Sequence, residues 1–367
     1  MQQRRKLKTL LTSAALAGAA VATAAPAMAQ TNVTVTGLVD VYAGKMRSAG
    51  DARSRSVVNS GGMTTSWFGF KGSEDLGGGL KANFLLTSFF QADTGTQGRF
   101  PGDTLWSRDA NVGLSGGFGA VSLGRELAPH FLPTILFNPF GDSYQFAPLI
   151  LHADVPLFNA SGWTNSVAGD TGWSNSIRYQ TPNFGGLTAN VHYQFGEIAG
   201  STGRNNIGVN ALYFAGPLAL TAFYHNVEIN NPLNVPVGNV QPGGNIPLAS
   251  GLFAARQSAW MVGGSYDLTA AKLFATYGQT SHDIDLDDKT LSLGATVPAG
   301  PGKVQLAWAQ TRRDGVAVGA DVKRTTTAVG YDIDLSKRTD VYAVYMNDRI
   351  TRTNNGNSFG VGVRHRF

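Results

Sequence analysis

Two groups of residues have the side-chain types that hydrolase chemistry needs. The stretch Gly113-Leu-Ser-Gly-Gly117 matches the G-x-S-x-G pattern, in which a serine on a strand-to-helix turn attacks a carbonyl carbon. Its serine falls in a predicted hairpin, so the turn that this chemistry requires is not predicted. His130 and His152 lie near acidic residues in one long loop and could act as general bases. A hydrolase is kept as an alternative, which hydrolysis of a lipid or peptide ester would support.

A second possible chemistry is cation binding by carboxylates. Asp283, Asp285, Asp287 and Asp288 lie close together, and carboxylate oxygens are the ligands that Ca²⁺ prefers. A group of this kind is more often a solvated acidic loop. We therefore predict no metal site, with Asp283, Asp285 and Asp287 as the weaker alternative. We also predict no cofactor, because no cofactor-binding motif stands out.

The N-terminus has the pattern of a secretory signal peptide. Arg4, Arg5, Lys6 and Lys8 precede an apolar run, and Ala27-Met-Ala29 is an A-x-A cleavage site. We predict a signal peptide over 1–29 and one domain over 30–367. Without the four leader bases, 25 of the 29 Lys and Arg remain against 24 Asp and Glu, so the charge does not indicate a nucleic-acid partner. There is no cysteine, and 30–367 has no apolar run near the 18 residues of a membrane helix.

Most of residues 30–367 alternate between apolar residues and small or polar ones, which is the period of a β-strand. Leu291, Leu293 and Ala295, for example, alternate with Ser292 and Gly294. We predict sixteen strands from this pattern, and short turns of Gly, Pro, Asn and Asp alternate with longer loops between them. The predicted strands are 33–43, 66–73, 80–90, 108–115, 119–125, 174–181, 187–195, 206–214, 217–226, 257–266, 271–281, 288–297, 302–311, 323–331, 338–347 and 358–367.

This organisation predicts an all-β fold: a transmembrane, antiparallel, up-and-down β-barrel. In such a barrel the apolar row of each strand faces lipid and the other row faces the lumen. A soluble sandwich or propeller is the alternative, but no blade-length repeat is visible. Residues 126–173 would form a connection far longer than a hairpin loop. That connection carries Glu126, Asp142, Asp154 and Asp170 without any Lys or Arg, and its many large apolar residues need a wall on which to pack.

Several stretches, in order over nearly all of 30–367, resemble the Gram-negative general porins, most closely the β-proteobacterial type. The most specific is Gly69-Phe-Lys-Gly-Ser-Glu-Asp-Leu-Gly-Gly-Gly-Leu-Lys-Ala82. The last strand ends on a bare aromatic, Phe367, as bacterial outer-membrane barrels do. The other matching stretches are Val33–Gly37 with Asp40, Ala110–Gly119, Leu123–Arg125, Asn175–Tyr179, Thr181–Gly186, Leu335–Thr339 and Gly360–Phe367.

The resemblance implies a sixteen-stranded homotrimeric porin in which loop 126–173 folds into the lumen. It also implies that wall arginines, here Arg108 and Arg125, face the acids of that loop. Arg178 lies on the polar face of its strand, and Lys71 shares a face with Trp67. The predicted constriction residues are Arg108, Arg125, Arg178, Lys71, Trp67, Glu126, Asp142 and Asp154.

Two of these positions conflict with strict alternation. Arg108 has the parity of Val112, and Arg125 has that of Leu123, so both would face lipid. A charged side chain there costs about 2–4 kcal/mol at the bilayer midplane. We therefore expect a bulge or a strand end at each position, with anchoring at the membrane rim as the alternative. Trp67 also stands where relatives often carry arginine, which favours weak ion selectivity.

The sequence thus predicts a passive diffusion porin for small hydrophilic solutes and ions in the outer membrane. Its expected partners are further copies of itself, membrane lipid and lipopolysaccharide, and the barrel-assembly machinery, which would read Phe367 as its signal. A substrate-specific channel lined by the loop aromatics is the main alternative. An outer-membrane hydrolase and a purely structural or adhesive barrel are the others.

Overall fold

The computed structural model describes residues 32–99, 103–154, 170–197, 199–200, 204–230, 235–236, 256–282, 287–315 and 322–367. Sixteen long strands dominate these residues. They are β1 (Asn32–Met46), β2 (Trp67–Gly77), β3 (Leu80–Gln91), β4 (Asp109–Gly116), β5 (Gly119–Leu127), β6 (Gly172–Gln180), β7 (Leu187–Gln194), β8 (Asn206–Ala215), β9 (Leu218–Val227), β10 (Gln257–Asp267), β11 (Lys272–His282), β12 (Asp287–Ala299), β13 (Gly302–Asp314), β14 (Val322–Asp334), β15 (Thr339–Ile350) and β16 (Gly356–Arg366).

Each strand pairs antiparallel with its neighbours in sequence, and the first and last strands also pair. Residues Leu38–Lys45 of β1 pair with Arg366–Phe359 of β16. The N-terminal part of β1, Asn32–Leu38, pairs with β2. The described strands therefore form a closed sixteen-stranded antiparallel barrel, and this prediction is confirmed.

Alternating residues of the strands point to opposite sides of the barrel wall, as the period-two pattern predicts. In β13, Leu306 is exposed on the outer face, whereas Ala307 and Ala309 are buried on the interior face. The outer face carries a continuous apolar surface, and Tyr224 and Trp260 are exposed on it. In the part of the chain that the structure describes, no helix is both long and apolar enough to cross a membrane.

Two short strands lie inside predicted loops. Arg55–Ser60, within predicted loop 44–65, pairs with Val41–Met46, and Thr96–Gln97 pairs with the end of β3. Arg55–Ser60 pairs here because the end of β1, Val41–Met46, extends beyond the residues that pair with β2. Its backbone groups would otherwise be unpaired on that side. The polar sequence of Arg55–Ser60 gives little sign of a strand. A third small pairing joins Ile229–Asn230 to Val235–Pro236.

The described residues of the connection between β5 and β6 include two short helices, α1 (Phe131–Leu136) and α2 (Pro148–Ala153). We refer to residues 128–154 as the inner segment. Its apolar side chains pack on interior-facing residues of the wall, where the main buried cluster lies. That cluster contains Phe140, Phe146, Ala147, Ile150 and Leu151 from the inner segment, and Tyr42, Ala307, Ala328, Tyr342, Val344 and Met346 from the wall.

Candidate pore lining

Arg108 lies directly before β4, which begins at Asp109. Its guanidinium stacks on Trp67, with 4.3 Å between Cζ and the ring centroid. Its Nη1 donates to Asp109 Oδ2 at 2.8 Å, and Asp109 also accepts from Thr87 Oγ1 at 2.8 Å. Since Arg108 precedes the strand, alternation does not decide its direction. The side chain turns inward to Trp67 and Asp109.

Arg125 lies at an irregularity between β5 and β6. The pairing register shifts between Gly124 and Glu126, and Asn175 on the opposite strand has a φ of 50°. Gly124 has a φ of 128°, and a Cβ there would lie 2.2 Å from the carbonyl oxygen of Ala110, so a glycine is required. A bulge re-aims the side chains beside it. This is why the strict alternation that put Arg125 toward lipid fails.

The guanidinium of Arg125 is buried among strand ends. Nε donates to the carbonyl oxygen of Ser107 at 2.8 Å, and Nη1 donates to that of Gly172 at 2.9 Å. Nη2 contacts Asp170 Oδ2 at 3.2 Å. Although Arg125 was predicted at the constriction, this structure gives it little exposure to water, and its contacts hold the ends of three segments together.

Arg99 and Asp103 form an ion-pair network with Asp170, which was not predicted from the sequence. Arg99 Nη1 lies 2.6 Å from Asp170 Oδ1, and Arg99 Nε lies 2.8 Å from Asp103 Oδ2. Burial raises the pKa of Asp170, but the charges of Arg99 and Arg125 outweigh it and hold that pKa below its usual value. No local signal in the sequence links Arg99 to Asp170, because the two stand far apart in the chain.

Arg178 and Glu126 form the third wall pair, with 3.1 Å between Nη2 and Oε2. Glu126 was predicted as a loop residue, but β5 continues to Leu127, so Glu126 belongs to the wall. Its carboxylate is buried beside the arginine. Lys71 lies on the interior parity of β2, is exposed, and forms no ion pair with any residue that the structure describes.

Of the acids on the inner segment, Asp142 lies beside the wall charges. Its Oδ1 accepts from Thr64 Oγ1 at 2.7 Å, and Thr64 Oγ1 also accepts from Arg364 Nη1 at 2.8 Å. Burial raises the pKa of Asp142, and the hydrogen bond from Thr64 and the charges of Arg364 and Arg108 oppose that rise. Asp142, Thr64 and Arg364 thus connect the inner segment to β16.

Asp154 is placed differently from the prediction. It is buried at the end of α2, where its Oδ2 accepts from Thr134 Oγ1 at 2.7 Å. Burial raises its pKa to about 8, an effect that the hydrogen bond from Thr134 only partly offsets. A carboxyl that is buried and largely protonated at neutral pH contributes little charge to a water-filled passage.

In four of the ion pairs on the wall, the basic side chain is more exposed than the acidic one, whereas the fully buried pairs Arg313–Asp288 and Arg324–Asp348 do not show this order. The exposed fractions are 20% and 3% for Arg108 and Asp109, and 25% and 2% for Arg178 and Glu126. The same order holds for Lys303 with Asp332 and Arg366 with Asp340. In these four pairs, water in the lumen therefore contacts the basic side chain more than its carboxylate partner.

Arg364 is a second functional residue that the site prediction missed. Its Nε lies 3.0 Å from Asp340 Oδ2, and its Nη2 lies 3.7 Å from Asp332 Oδ2. The sequence carried a usable signal, because alternation puts Arg364 on the polar row of the last strand. A cavity of about 390 Å³ adjoins Arg364, Lys303 and Asp332, and one of about 320 Å³ adjoins Arg99 and Tyr144.

Two of the residues considered for catalysis and metal binding have structural partners. Ser115, of the G-x-S-x-G stretch, accepts from Asn83 Nδ2 at 2.8 Å within the sheet. Asp288 pairs with buried Arg313 at 2.5 Å. Asp283 and Asp285 lie outside the described residues, and within those residues no group of three or more His, Cys, Asp or Glu could hold a metal ion.

A closed antiparallel barrel with an apolar outer face and a polar, charged interior is the architecture of an outer-membrane channel. The profile of the Gram-negative porin family matches residues 12–353. The chain is 33% identical over 343 residues to outer membrane porin protein 32 of Delftia acidovorans, covering 89% of this chain and 86% of that one. It is 28% identical to an outer membrane porin of Bordetella pertussis, covering 98% and 100% of the two chains.

A solved structure, the anion-selective porin from Comamonas acidovorans, has a similar fold. Its TM-score is 0.71 at 26% identity, covering 92% of this chain and all of that one. The chain belongs to the Gram-negative porin family. It is an outer-membrane channel protein for passive diffusion rather than an enzyme, as the sequence predicted.

Proposed function

We propose that loop 126–173 narrows the lumen and that small hydrophilic solutes and ions pass between it and the wall of β1–β5 and β16. The observation that supports this most is that hydrogen bonds connect the inner segment to Gly62, before β2, and to the strands β13 and β14. The hydrogen bonds are Ser143 Oγ to the carbonyl oxygen of Gly62 at 2.6 Å, Gln305 Nε2 to that of Pro139 at 2.6 Å, and Arg324 Nη1 to that of Leu151 at 2.5 Å.

Replacing residues 139–147 with a short Gly-Ser linker tests this proposal. The change removes the part of the inner segment beside Thr64 and leaves the sequences of α1 and α2 intact. We expect a larger single-channel conductance in planar bilayers and entry of larger solutes in liposome swelling. An unchanged conductance in a folded, heat-modifiable barrel would place the constriction elsewhere.

The proposed constriction is formed by Arg108, Lys71 and Trp67 on the wall, facing Asp142 on the inner segment. Each wall arginine has a carboxylate partner, which favours weak ion selectivity. The greater exposure of the bases favours a small remaining preference for anions. A reversal potential near zero, shifted slightly toward the anion side in a tenfold KCl gradient, is the expected result. A strongly selective pore of either sign would contradict it.

We further propose a homotrimer that associates through the outer face around β2 and β3. Phe68 and Phe70 are exposed there, together with Leu105 and Phe367. An outer-face hollow of about 430 Å³ is lined by Phe68, Phe90, Leu105 and Phe367. A second copy of the chain could fill it, because apolar contact without water stabilises association. Chemical cross-linking in mild detergent should give a trimer, and Phe70→Glu should reduce it.

We also propose that the chain is exported with a cleaved signal peptide and assembled through its last strand. Residues 1–29 would be removed as a signal peptide, so the N-terminus of the protein isolated from the outer membrane should be Gln30. N-terminal sequencing checks this directly. The barrel-assembly machinery would recognise the strand that ends on Phe367, and the apolar outer face would contact lipid and lipopolysaccharide.

A substrate-specific channel is the second candidate function, and one observation favours it. The cavity of about 320 Å³ near Arg99 is lined by the aromatic residues Phe89 and Tyr144 together with polar Gln145. Such a surface suits an aromatic solute that also forms hydrogen bonds. Concentration-dependent block of the ion current by one class of solute would support a specific channel, whereas linear, unsaturated flux would support general diffusion.

A further inference from the structure

Four of the six histidines are buried, two of them in the inner segment and two in the wall. They are His130 before α1, His152 in α2, His192 in β7 and His225 in β9. Two have clear structural roles. His152 contacts Thr311 Oγ1 at 2.7 Å and Thr326 Oγ1 at 2.8 Å, and His192 contacts Ser176 Oγ at 2.9 Å. His130 and His225 have a different environment.

The rings of His130 and His225 lie edge to face, with 5.1 Å between centroids. Asp154 Oδ1 lies 3.8 Å from His130 Nε2. Phe223 and Trp173 enclose the pair, and their ring centroids lie 6.0 Å from that of His130 and 6.2 Å from that of His225, respectively. His130 and Asp154 belong to the inner segment, whereas His225 belongs to the wall. The group therefore spans the contact that holds the segment in place.

The polar atoms of this group lack hydrogen bonds. Among the described residues, none forms a hydrogen bond with a ring nitrogen of His130 or His225, or with Asp154 Oδ1. Buried polar groups in this condition weaken a contact, and a charge added there would weaken it further. A cavity of about 30 Å³ is lined by all three residues, so water can carry protons to them.

The other charged groups nearby are already paired. Asp288 lines the same cavity but pairs with Arg313, and Asp170 pairs with Arg99. Beyond Trp173 and His192, Arg178 pairs with Glu126. Asp154 is thus the carboxyl that a proton on His130 would meet, and a second proton on His225 would place two cations in contact within a buried site.

We propose that His130, His225 and Asp154 form a proton-sensitive latch, which holds the inner segment against β9 at neutral pH and releases it in acid. This inference rests on the proposed function, in which the inner segment lies beside the solute path. A segment released from the wall can move only toward the water-filled passage. Acid therefore lowers the conductance.

The direction of the pH effect follows from the number of protons that the latched and the released barrel each bind. Burial lowers the pKa of His130 to about 4 and raises that of Asp154 to about 8. On release below pH 6.5, His130 and His225 can each take up a proton, while Asp154 gives one up, so release takes up one proton net. The ratio of latched to released barrels should then fall about tenfold per pH unit below 6.5. Above 6.5, release gives up the proton of Asp154 without uptake by the histidines, so the latch should be tightest near pH 6.5.

Single-channel recording between pH 7.5 and 4.5 at constant KCl tests the latch. Wild type should lose at least about half of its conductance in acid, reversibly, as the released state becomes populated. The double variant His130→Phe/His225→Phe should keep its pH 7.5 conductance throughout, since phenyl rings suit a site enclosed by Phe223 and Trp173. His365→Gln is the matched control, because that histidine lies near the end of β16, away from the contact, and it should behave like wild type.

Three results would overturn the latch: wild-type conductance that does not depend on pH, an acid step that persists in the double variant, or a step lost in His365→Gln. If the double variant does not fold, His225→Phe alone supplies the comparison, and the wild-type titration decides in any case. Failure of wild type to form channels at pH 7.5 would instead refute the proposed function.

Discussion

The charge that a permeating ion meets depends on the depth at which each partner of an ion pair lies. Arg108 and Arg178 reach water, while Asp109 and Glu126 remain behind them. The count of charges is therefore a poor guide to the field in the lumen, because buried carboxylates reduce that field without reversing it. Burial raises the pKa of Asp142, while the hydrogen bond from Thr64 and the charges of Arg364 and Arg108 oppose that rise.

Arg108→Ser should move selectivity toward cations. The substitution removes an exposed cation and leaves Asp109, which Thr87 still hydrogen-bonds. We expect the chloride-to-potassium permeability ratio to fall about twofold, and less in high salt, where screening is stronger. Reversal potentials in KCl gradients measure this. Arg108→Lys, which keeps the charge, should stay close to wild type; equal shifts in both variants would mean that the charge is not the cause.

Trp67→Arg should move the reversal potential the other way, toward anions. It places a second cation beside Arg108 and removes the ring on which Arg108 stacks, an interaction of about 0.5–1 kcal/mol at an exposed site. Trp67→Phe, which keeps a ring without adding charge, is the matched control. An arginine variant with the wild-type reversal potential would show that position 67 lies outside the ion path.

The candidate site was predictable from the sequence only where alternation held. Arg178 and Lys71 lie on the interior parity that the pattern assigned to them. The direction of the Arg125 side chain does not follow this alternation, because it depends on a bulge that Gly124 and Asn175 create by unusual backbone conformations. The burial of Asp154 was not predictable, because nothing local in the sequence distinguishes a loop acid that reaches water from one that a helix buries.

At the level of elements, the strands were predictable because each carries its own period-two pattern. The short turns were predictable from their Gly, Pro, Asn and Asp content. Arg55–Ser60 was not, since it forms only where β1 leaves an edge to be covered. The helices α1 and α2 were also missed. They are short, and the wall supplies most of the contacts that stabilise them, so their sequences carry no amphipathic repeat of useful length.

The contact between α2 and the wall should depend on a buried ion pair between β14 and β15. Arg324 Nε lies 3.0 Å from Asp348 Oδ1, and Nη1 donates to the carbonyl oxygen of Leu151. Arg324→Met should destabilise the barrel by about 3–5 kcal/mol, because it leaves a buried carboxylate without its cation. The measurement is urea unfolding in detergent micelles.

The double variant Arg324→Met/Asp348→Leu is the control for that measurement. It removes both charges, so it should recover much of the lost free energy of unfolding. Equal stability of the single and double variants would mean that the unpaired carboxylate is not the cause of the loss. Both variants should also loosen α2, which noisier single-channel currents would reveal.

For the whole molecule, the last residue lies at the contact between β1 and β16 that closes the barrel. Phe367 donates its N–H to the carbonyl oxygen of Gly37 and accepts from its N–H, both at 3.0 Å. The ring lies over Gly37, where a Cβ would come within 2.5 Å of Phe367 Cζ. Deleting Phe367 should leave the chain exported but poorly assembled, as measured by heat-modifiable protein in the outer membrane. Phe367→Tyr should assemble normally, and normal assembly of the deletion would contradict the prediction.

The pairing of β1 with β16 has a consequence for how the chain reaches the membrane. The two strands come from opposite ends of the sequence, so each half-built sheet carries two unpaired edges until the final strand arrives. Long-range pairing of this kind is slow, and open edges recruit other chains. With no cysteine, the chain has no disulfide that could hold an intermediate in register. Strand edges that stay open until β16 pairs with β1 are thus a consequence of the topology itself, independent of the sequence of any one strand.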